Sequence, residues 1–284
     1  MKKRFLALGL TVALAAASLA ACGGASTKTT EKKAEAGTEK SSEKATEAAK
    51  EEKADSGELR TYKLGVNGSD HEEWEKANEL LQKDNIKLEM VEFSDYVKPN
   101  EALEDGEIDL NAFQTEIYFN NFVKERGYTD LGVLAYTQVA PMGIYSSKYK
   151  SLDEATGHLI IAIPNDVTNG GRALKFLEKN GFLTLKKEAG LTPTVMDIEK
   201  YNKDVEIVEM VATQIPASLP DLSFACINNG VAKDAGLTLK NDAIVYEDYK
   251  EPDMKNYWNI IAAKKDRIES EDFCLLYTSD AADE

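Results

Sequence analysis

One stretch of the chain reads Ile163-Pro164-Asn165-Asp166-Val167-Thr168-Asn169-Gly170-Gly171-Arg172-Ala173-Leu174. The apolar residues 159–163 that lead into it predict a buried strand. A polar turn containing Gly170 and Gly171 follows, and then a helix over residues 172–179 with a stop signal at Gly181. Strand–turn–helix units of this kind build α/β folds, so this stretch predicts that fold class.

The same turn is a candidate binding site. Free N–H groups at a helix N-terminus attract anions, and the glycine pair lets a ligand approach the backbone. Arg172, predicted in the first helical turn, has the planar fork that binds a carboxylate through two parallel hydrogen bonds. A cation is mildly unfavourable at that helix end, so an anionic partner is expected. The alternative is a solvent-facing Arg172 beside a capping Asn169, and these residues alone leave both open.

Outward from this stretch, the pattern alternates between strand and helix. Helices are predicted over residues 71–83, 100–103 and 117–126, and extended segments over 62–66, 87–93, 108–113, 131–139, 142–145, 205–210, 224–227, 243–246 and 257–263. This alternation indicates sheets rich in parallel strands. About 215 residues suit two α/β lobes better than one small domain, and a cleft between lobes is a usual ligand site.

The N-terminus predicts export and a lipid anchor. Lys2, Lys3 and Arg4 precede an apolar run that is too short to span a membrane, and the run ends in Leu19-Ala20-Ala21-Cys22. This ending resembles the lipobox of bacterial lipoproteins, which implies that residues 1–21 are a signal peptide and that Cys22 is lipidated at the extracytoplasmic face of the cell membrane. The alternative is an ordinary cleavage site with an incidental cysteine.

Residues 22–57 predict a tether. Beyond Cys22, alanine is their only apolar residue type, so they cannot bury enough surface to offset the entropy of ordering. We expect a disordered polar segment between the anchor and a globular part that begins at residue 58.

The last residues look foreign to the rest. Cys274-Leu275-Leu276-Tyr277-Thr278-Ser279 resembles an in-frame translation of the transposase-adapter sequence used in sequencing libraries. We expect residues 274–284 to be adapter-derived, the native sequence to be cut near Phe273, and the fold to lack its natural C-terminal part. The alternative is a natural polar tail.

Composition excludes several classes of function. The formal net charge is −16, and the nearly neutral tether leaves this acidity to the globular part, which argues against nucleic-acid binding. His71 and His158 are far apart and have no cysteine at ligand spacing, so no metal site is expected. Cys226 lies in an apolar run, which predicts that its small side chain is buried. Nucleophile-elbow, histidine-dyad and Walker patterns are absent from the sequence, so neither an enzyme nor a cofactor is expected.

Nearly all of residues 58–273 resembles the NlpA/MetQ family, the methionine-type substrate-binding lipoproteins of ABC importers. The segment 164–174 matches the family signature P-N-D-x-T-N-x-G-R-A-L, and further matches follow in the family's order. They are Val91-Glu92-Phe93-Ser94-Asp95-Tyr96, Asn111-Ala112-Phe113-Gln114, Pro141-Met142-Gly143-Ile144-Tyr145-Ser146, Gln214-Ile215-Pro216, Ile227-Asn228-Asn229 and Tyr257-Trp258-Asn259-Ile260-Ile261.

The resemblance implies a two-lobed periplasmic-binding-protein fold that closes on an amino acid and delivers it to an ABC permease and its ATPase. Lobe 1 would comprise residues 58–140 and 248–273, and lobe 2 residues 141–247. It also implies a C-terminal helical part of lobe 1 beyond this chain's native sequence, without which the chain is expected to fold poorly.

The resemblance also implies roles for individual side chains. Arg172 and Asn169 would hold the ligand carboxylate, and Asn228 would meet the α-amino and carboxylate groups. The apolar side-chain pocket would be lined by Tyr96, Phe93 and Tyr118, with Gln114 at its edge. The alternatives are ordinary core positions for the aromatic residues and a helix cap for Asn229.

Three positions depart from the family pattern: Thr115 replaces a histidine, and Ile117 and Val167 replace prolines. The predicted carboxylate clamp is intact, whereas the part that reads the ligand side chain has changed. Methionine, a methionine derivative, a short peptide or another apolar amino acid therefore stay open as ligands. A surface lipoprotein with an adhesion or signalling role is the alternative outside transport.

Overall fold

The computed structural model describes residues 58–69 and 71–278. The predicted signal peptide, Cys22 and tether lie outside the described residues. The described part is a two-lobed α/β fold built on two five-stranded sheets and a small two-stranded ribbon, as the sequence predicts.

The first sheet has the strand order β2-β1-β3-β12-β4. Strands β1 and β2 run parallel, as do β1 and β3, whereas β12 is antiparallel to both of its neighbours. Its strands are β1 (Arg60–Asn67), β2 (Ile86–Phe93), β3 (Leu110–Thr115), β4 (Leu131–Val139) and β12 (Trp258–Lys264).

The second sheet has the order β11-β5-β10-β6-β9. Here β10, β6 and β9 are parallel, and β5 is antiparallel to β10 and to β11. Its strands are β5 (Gly143–Tyr145), β6 (Leu159–Pro164), β9 (Val205–Met210), β10 (Phe224–Ile227) and β11 (Ala243–Tyr246), and the ribbon pairs β7 (Leu183–Leu185) with β8 (Ile198–Tyr201). Both large sheets are mixed, so the expectation of parallel-rich sheets holds for three adjacent strands in each.

Helices cover these sheets. They are α1 (Glu72–Leu81), α2 (Lys98–Asp105), α3 (Glu116–Arg126), α4 (Val167–Lys179), α5 (Ile215–Ser218), α6 (Asn229–Asp234), α7 (Lys265–Ile268) and α8 (Glu271–Thr278).

Each sheet is buried on both faces, because successive side chains of its central strands enter different apolar clusters. Ile260 and Ala262 belong to one cluster of the first lobe, and Ile261 and Ala263 belong to the other. The alternation follows from the two-residue period of a strand. Strands covered on both sides by helices are the usual arrangement of α/β proteins.

The chain crosses between the sheets twice. It leaves the first sheet after Val139 and enters the second at Gly143, then returns from Tyr246 to Trp258 through the 3-10 turn Pro252–Tyr257. The lobe boundaries at residues 140/141 and 247/248 stay a prediction.

At the C-terminal end, α8 packs on the first lobe. The Tyr62 hydroxyl of β1 hydrogen-bonds to the Asp272 carboxylate, and Phe273 is fully buried against the Tyr62 ring. The origin of residues 274–284 stays a prediction.

Residues 163–174 differ from the expected structure in where the helix begins. Helix α4 begins at Val167, so Gly170 and Gly171 lie inside it and Arg172 lies in its second turn. A Cβ on Gly170 would come 2.6 Å from the Pro164 carbonyl oxygen, and one on Gly171 would come 2.8 Å from the Thr192 Cα. The glycines therefore let the chain pack against its own backbone, which is a different reason from the ligand approach that was expected.

Candidate ligand-binding cleft

Asp166 organises the start of α4. Its carboxylate caps the helix by accepting a hydrogen bond from the Asn169 backbone N–H at 2.8 Å, and it also accepts from the Thr168 hydroxyl at 2.9 Å. The Asn169 side-chain Nδ2 donates to the same carboxylate at 3.0 Å. The sequence-based alternative of Asn169 as the cap is wrong, because Asp166 occupies that position.

Asn228 lies across from this cap, at the end of β10 and the start of α6. Its Nδ2 donates to Asn169 Oδ1 at 2.8 Å, which links Asp166, Asn169 and Asn228 in one chain of hydrogen bonds. The Asn228 Oδ1 atom is buried and has no hydrogen-bond partner among the described residues. Asn229, the alternative cap, is the first residue of α6 rather than its N-cap.

Arg172 is a buried cation with an internal partner. Its Nε donates to Glu247 Oε1 at 3.0 Å, and its Nη2 donates to Glu247 Oε2 and to the Ala140 carbonyl oxygen at 2.9 Å. Its guanidinium carbon lies 4.3 Å from the centre of the Tyr257 ring. The anionic partner expected for Arg172 is thus already present, and Nη1 makes no hydrogen bond within the described part of the chain.

Glu247 ties the two crossover segments together. It is buried, and its carboxylate accepts from the Met142 backbone N–H at 2.6 Å, while its own N–H donates to the Met142 carbonyl oxygen at 3.0 Å. Arg172, Ala140, Met142 and Glu247 therefore form one polar cluster at the point where the chain passes between the lobes.

Aromatic rings form one wall of the cleft. Tyr96, Phe113 and Tyr118 contact one another with ring centres 6.0 to 6.3 Å apart, and the Tyr118 hydroxyl donates to the Tyr96 carbonyl oxygen at 2.9 Å. Burial, and next the nearby Asp166 carboxylate, raise the pKa of both Tyr96 and Tyr118 above its usual value. Both phenols are therefore neutral near pH 7.

Gln114 is held in a buried amide network. Its Nε2 donates to Asn100 Oδ1 at 2.7 Å and to Asn111 Oδ1 at 2.8 Å, and its Oε1 accepts from Asn100 Nδ2 at 2.8 Å. Both of its donors are therefore committed inside the first lobe. Only the remaining lone pair of Oε1 is left for a further contact.

A cavity of about 960 Å³ lies between the two sheets and extends over the apolar face of the first. All seven predicted ligand-binding residues line it: Phe93, Tyr96, Gln114, Tyr118, Asn169, Arg172 and Asn228. Thr115, one of the three departures from the family pattern, also lines it, whereas Ile117 and Val167 do not. Phe93 packs in part against a core cluster of the first lobe, so it belongs both to the hydrophobic core and to the lining of the cavity.

Sequence reasoning missed Asn67, Phe113 and Glu247. Asn67 ends β1, and the carboxyl ends of parallel strands are where α/β proteins bind ligands, so that position carried a usable signal. Phe113 lies inside the family motif of residues 111–114, in which a role is predicted only for Gln114. Nothing local to Glu247 marks it as the partner of Arg172, from which it is separated by 75 residues.

Among the described residues, no group of three or more His, Cys, Asp or Glu side chains is placed to hold a metal ion. None of the helices there has the length and apolar character needed to cross a membrane. Cys226 is fully buried, as predicted, and burial raises the pKa of its thiol.

Comparison with known proteins now assigns the family. The family model described as NlpA lipoprotein matches residues 62–284. The chain belongs to the NlpA lipoprotein family. A curated relative, the D-methionine-binding lipoprotein MetQ of Escherichia coli K12, is 41% identical over 225 residues, which covers 77% of this chain and 81% of the relative.

Solved structures of similar proteins share the fold of this NlpA-family chain. A nutrient binding protein from Burkholderia cenocepacia bound to methionine is 35% identical with a TM-score of 0.72, over 78% of this chain and 92% of that one. The substrate binding protein of a methionine transporter from Streptococcus pneumoniae is 35% identical with a TM-score of 0.70, over 78% of this chain and 90% of that one.

Proposed function

We propose that this protein is the membrane-anchored substrate-binding protein of an ABC importer, and that it binds methionine or a related amino acid between its lobes. The observation that carries the proposal is the cavity between the two sheets, where Arg172, an unpartnered Asn228 Oδ1 and an aromatic wall meet. Methionine is named for several relatives with the same fold.

The polar end of the cleft suits a zwitterion. Arg172 keeps Nη1 for a ligand carboxylate, while its other edge is fixed by Glu247. Asn228 Oδ1 is a buried acceptor, and a ligand ammonium would supply the hydrogen bond that it lacks. Asn169 orients Asn228 and is itself held by Asp166, so its role toward the ligand is partly indirect.

The aromatic wall suits a thioether. Sulfur contacts with ring edges are favourable, and Tyr96, Phe113 and Tyr118 present both faces and edges around one space. Thr115 lines the same cavity where many relatives of the family are expected to have histidine, which makes it the position where side-chain preference departs from theirs.

Transport follows from lobe closure. A ligand that contacts both lobes binds the closed form more tightly and shifts the population toward it. The closed form would dock on the permease of an ABC importer and release its ligand there. Lipidation of Cys22 would keep the protein at the extracytoplasmic face of the cell membrane.

A thermal-shift screen of the purified chain tests the proposal. The panel holds L- and D-methionine, methionine derivatives, short peptides and the other amino acids. A ligand at a hundred times its Kd stabilises the folded state by about 2.7 kcal/mol, which is readily measured. We expect a shift with methionine or a close relative that disappears in Asn228→Ala, a variant that leaves the buried Arg172–Glu247 pair intact. A folded wild-type protein that no member of the panel stabilises would overturn the proposal.

A further inference from the structure

Asn67, a residue of the first lobe at the cleft, has an unpaired side-chain acceptor. It is the last residue of β1, and it lines the cavity. Its Nδ2 donates to the carbonyl oxygens of Phe93 at 3.2 Å and Asp95 at 2.8 Å. These two bonds fix the amide so that Oδ1 is the free end.

The Asn67 Oδ1 atom is buried and has no hydrogen-bond partner among the described residues. A buried acceptor without a partner is unfavourable, and a donor from a ligand would remove that penalty. Of the buried side-chain acceptors that lack partners in the described chain, two line the cavity: Asn67 Oδ1 and Asn228 Oδ1.

These two acceptors belong to different lobes that already touch beside them. Asn67 ends a strand of the first sheet, and Asn228 follows a strand of the second. Immediately after Asn67, the Ser69 backbone N–H donates to the Asp234 carboxylate at 3.2 Å, at the far end of the helix that Asn228 caps. The segment that follows Asn67 is therefore held beside α6, the helix whose N-cap residue is Asn228.

The charges around the cleft favour a donor that is positively charged. Arg172 is offset by Glu247, and the Asp166 carboxylate lies behind Asn169 and Asn228. The charged residues on the cavity wall, His71 aside, are Glu73, Glu92, Arg172, Lys233 and Asp234, so the wall together with Glu247 and Asp166 has more acidic than basic groups. An ammonium has three N–H donors and a positive charge, so it suits a site that offers more than one acceptor.

We propose that Asn67 is a ligand-binding residue whose Oδ1 accepts a hydrogen bond from the protonated amine of the ligand, opposite Asn228 Oδ1. This inference rests on the proposed amino-acid-binding function and names a determinant of its specificity. The ligand amine then contacts both lobes. Asn67 therefore favours the binding of ligands that have a free amine over ligands that lack one.

The test compares methionine with 4-(methylthio)butanoate, which is methionine without its amino group. Calorimetric titrations use the wild-type protein, Asn67→Ala and the control Asp95→Ala. Asp95 does not line the cavity, but its carboxylate holds the same loop by accepting from the Val97 and Lys98 backbone N–H groups at 2.7 and 2.9 Å. The control thus loosens the loop that carries Tyr96 without removing an acceptor from the cleft.

We expect Asn67→Ala to weaken methionine binding by about tenfold or more relative to its effect on the deaminated analogue, because a hydrogen bond to a charged donor is lost only with methionine. Asp95→Ala should weaken both ligands by the same factor. Equal losses for the two ligands in Asn67→Ala would overturn the role of Asn67 while leaving amino-acid binding intact. A wild-type protein that binds no amino acid would overturn the proposed function itself.

Discussion

Arg172 is neutralised by its own protein before any ligand arrives. Its buried guanidinium is fixed by Glu247, the Ala140 carbonyl and the Tyr257 ring. A buried pair of this kind loses most when one partner is removed, because the remaining charge stays buried without compensation. Glu247 is therefore expected to be a determinant of stability, beside the binding role proposed for Arg172.

Glu247→Gln should lower the free energy of unfolding by about 3 kcal/mol, measured by urea denaturation, because it leaves Arg172 as an uncompensated buried cation. Glu251→Gln is the matched control, since Glu251 pairs with Lys179 on the surface. Exposed pairs contribute less than about 1 kcal/mol, so the control should differ little from the wild type. An equally small loss of unfolding free energy in both variants would show that the Arg172–Glu247 pair contributes no more to stability than the surface pair does.

At the scale of the element, the N-terminus of α4 couples helix stability to the ligand site. Asp166 caps the helix and holds Asn169, which in turn holds Asn228. The signature sequence therefore serves the fold and the cleft through the same carboxylate. The sequence located this helix start within a few residues but placed the cap and the glycines differently, because their contacts with Pro164 and Thr192 are tertiary.

Asp166→Ala should lower the free energy of unfolding by about 1 kcal/mol and also weaken ligand binding, because the cap and the orientation of Asn169 are lost together. Asp197→Ala is the control: Asp197 accepts from the Thr194 backbone N–H at 2.9 Å in an exposed capping box away from the cavity. It should reduce stability without changing affinity. Unchanged affinity in Asp166→Ala would contradict the coupling.

The attachment of α8 to β1 should depend on pH in both directions. The hydrogen bond from Tyr62 lowers the pKa of Asp272 in the folded state. The ionised Asp272 therefore stabilises the fold fully above its unfolded-state pKa near 4, and this stabilisation is lost as the pH falls through the lower folded-state pKa. Burial, and then the same hydrogen bond, raise the pKa of Tyr62 to about 12. The protonated Tyr62 therefore stabilises the fold fully below its unfolded-state pKa near 10, and this stabilisation is lost as the pH rises through the folded-state pKa.

Tyr62→Phe should therefore be less stable than the wild type at neutral pH, with a gap that narrows at both acidic and alkaline extremes. Unfolding free energies measured across the pH range give this difference directly. Tyr149→Phe is the control, because the Tyr149 ring packs on Phe224 and its hydroxyl has no hydrogen bond within the described residues. A gap for Tyr62→Phe that does not vary with pH would contradict the assignment.

For the whole molecule, the two lobes meet where Gly68 faces Asp234. Gly68 has a φ of +77°, and a Cβ there would lie 2.0 Å from an Asp234 carboxylate oxygen. Glycine adopts this backbone conformation without strain, whereas an added Cβ would require the exposed Asp234 carboxylate to rotate away. The contact between the lobes at this point therefore depends on Gly68.

Gly68→Ala should weaken ligand binding by about threefold, because the Asp234 carboxylate must move away from the added methyl group and lose its hydrogen bond from the Ser69 N–H. Adding Asp234→Ala should restore part of the affinity by removing the colliding carboxylate. Gly106→Ala is the control, since Gly106 has a similar φ of +74° and open space around its Cβ position. Equal affinity losses in Gly68→Ala and Gly106→Ala would attribute the effect to backbone strain instead of the contact with Asp234.

The sequence predicted the fold class and most strands, because strand periodicity is local. The seven residues that the family motifs predict to bind the ligand all line the cavity, and their roles stay a prediction. It did not predict the ribbon β7–β8 or the short helices α5 and α6, which have only three to six residues in each element. It also missed Glu247 and Asn67, because the role of each is set by a partner brought close only by the fold.

A crystal structure of the protein grown with L-methionine is the most direct test of amino-acid binding between the lobes. We expect methionine in the cleft, with its carboxylate within hydrogen-bonding distance of Arg172 Nη1 and its amine within hydrogen-bonding distance of Asn228 Oδ1. A cleft that stays empty at saturating methionine, or methionine bound away from both groups, would contradict it.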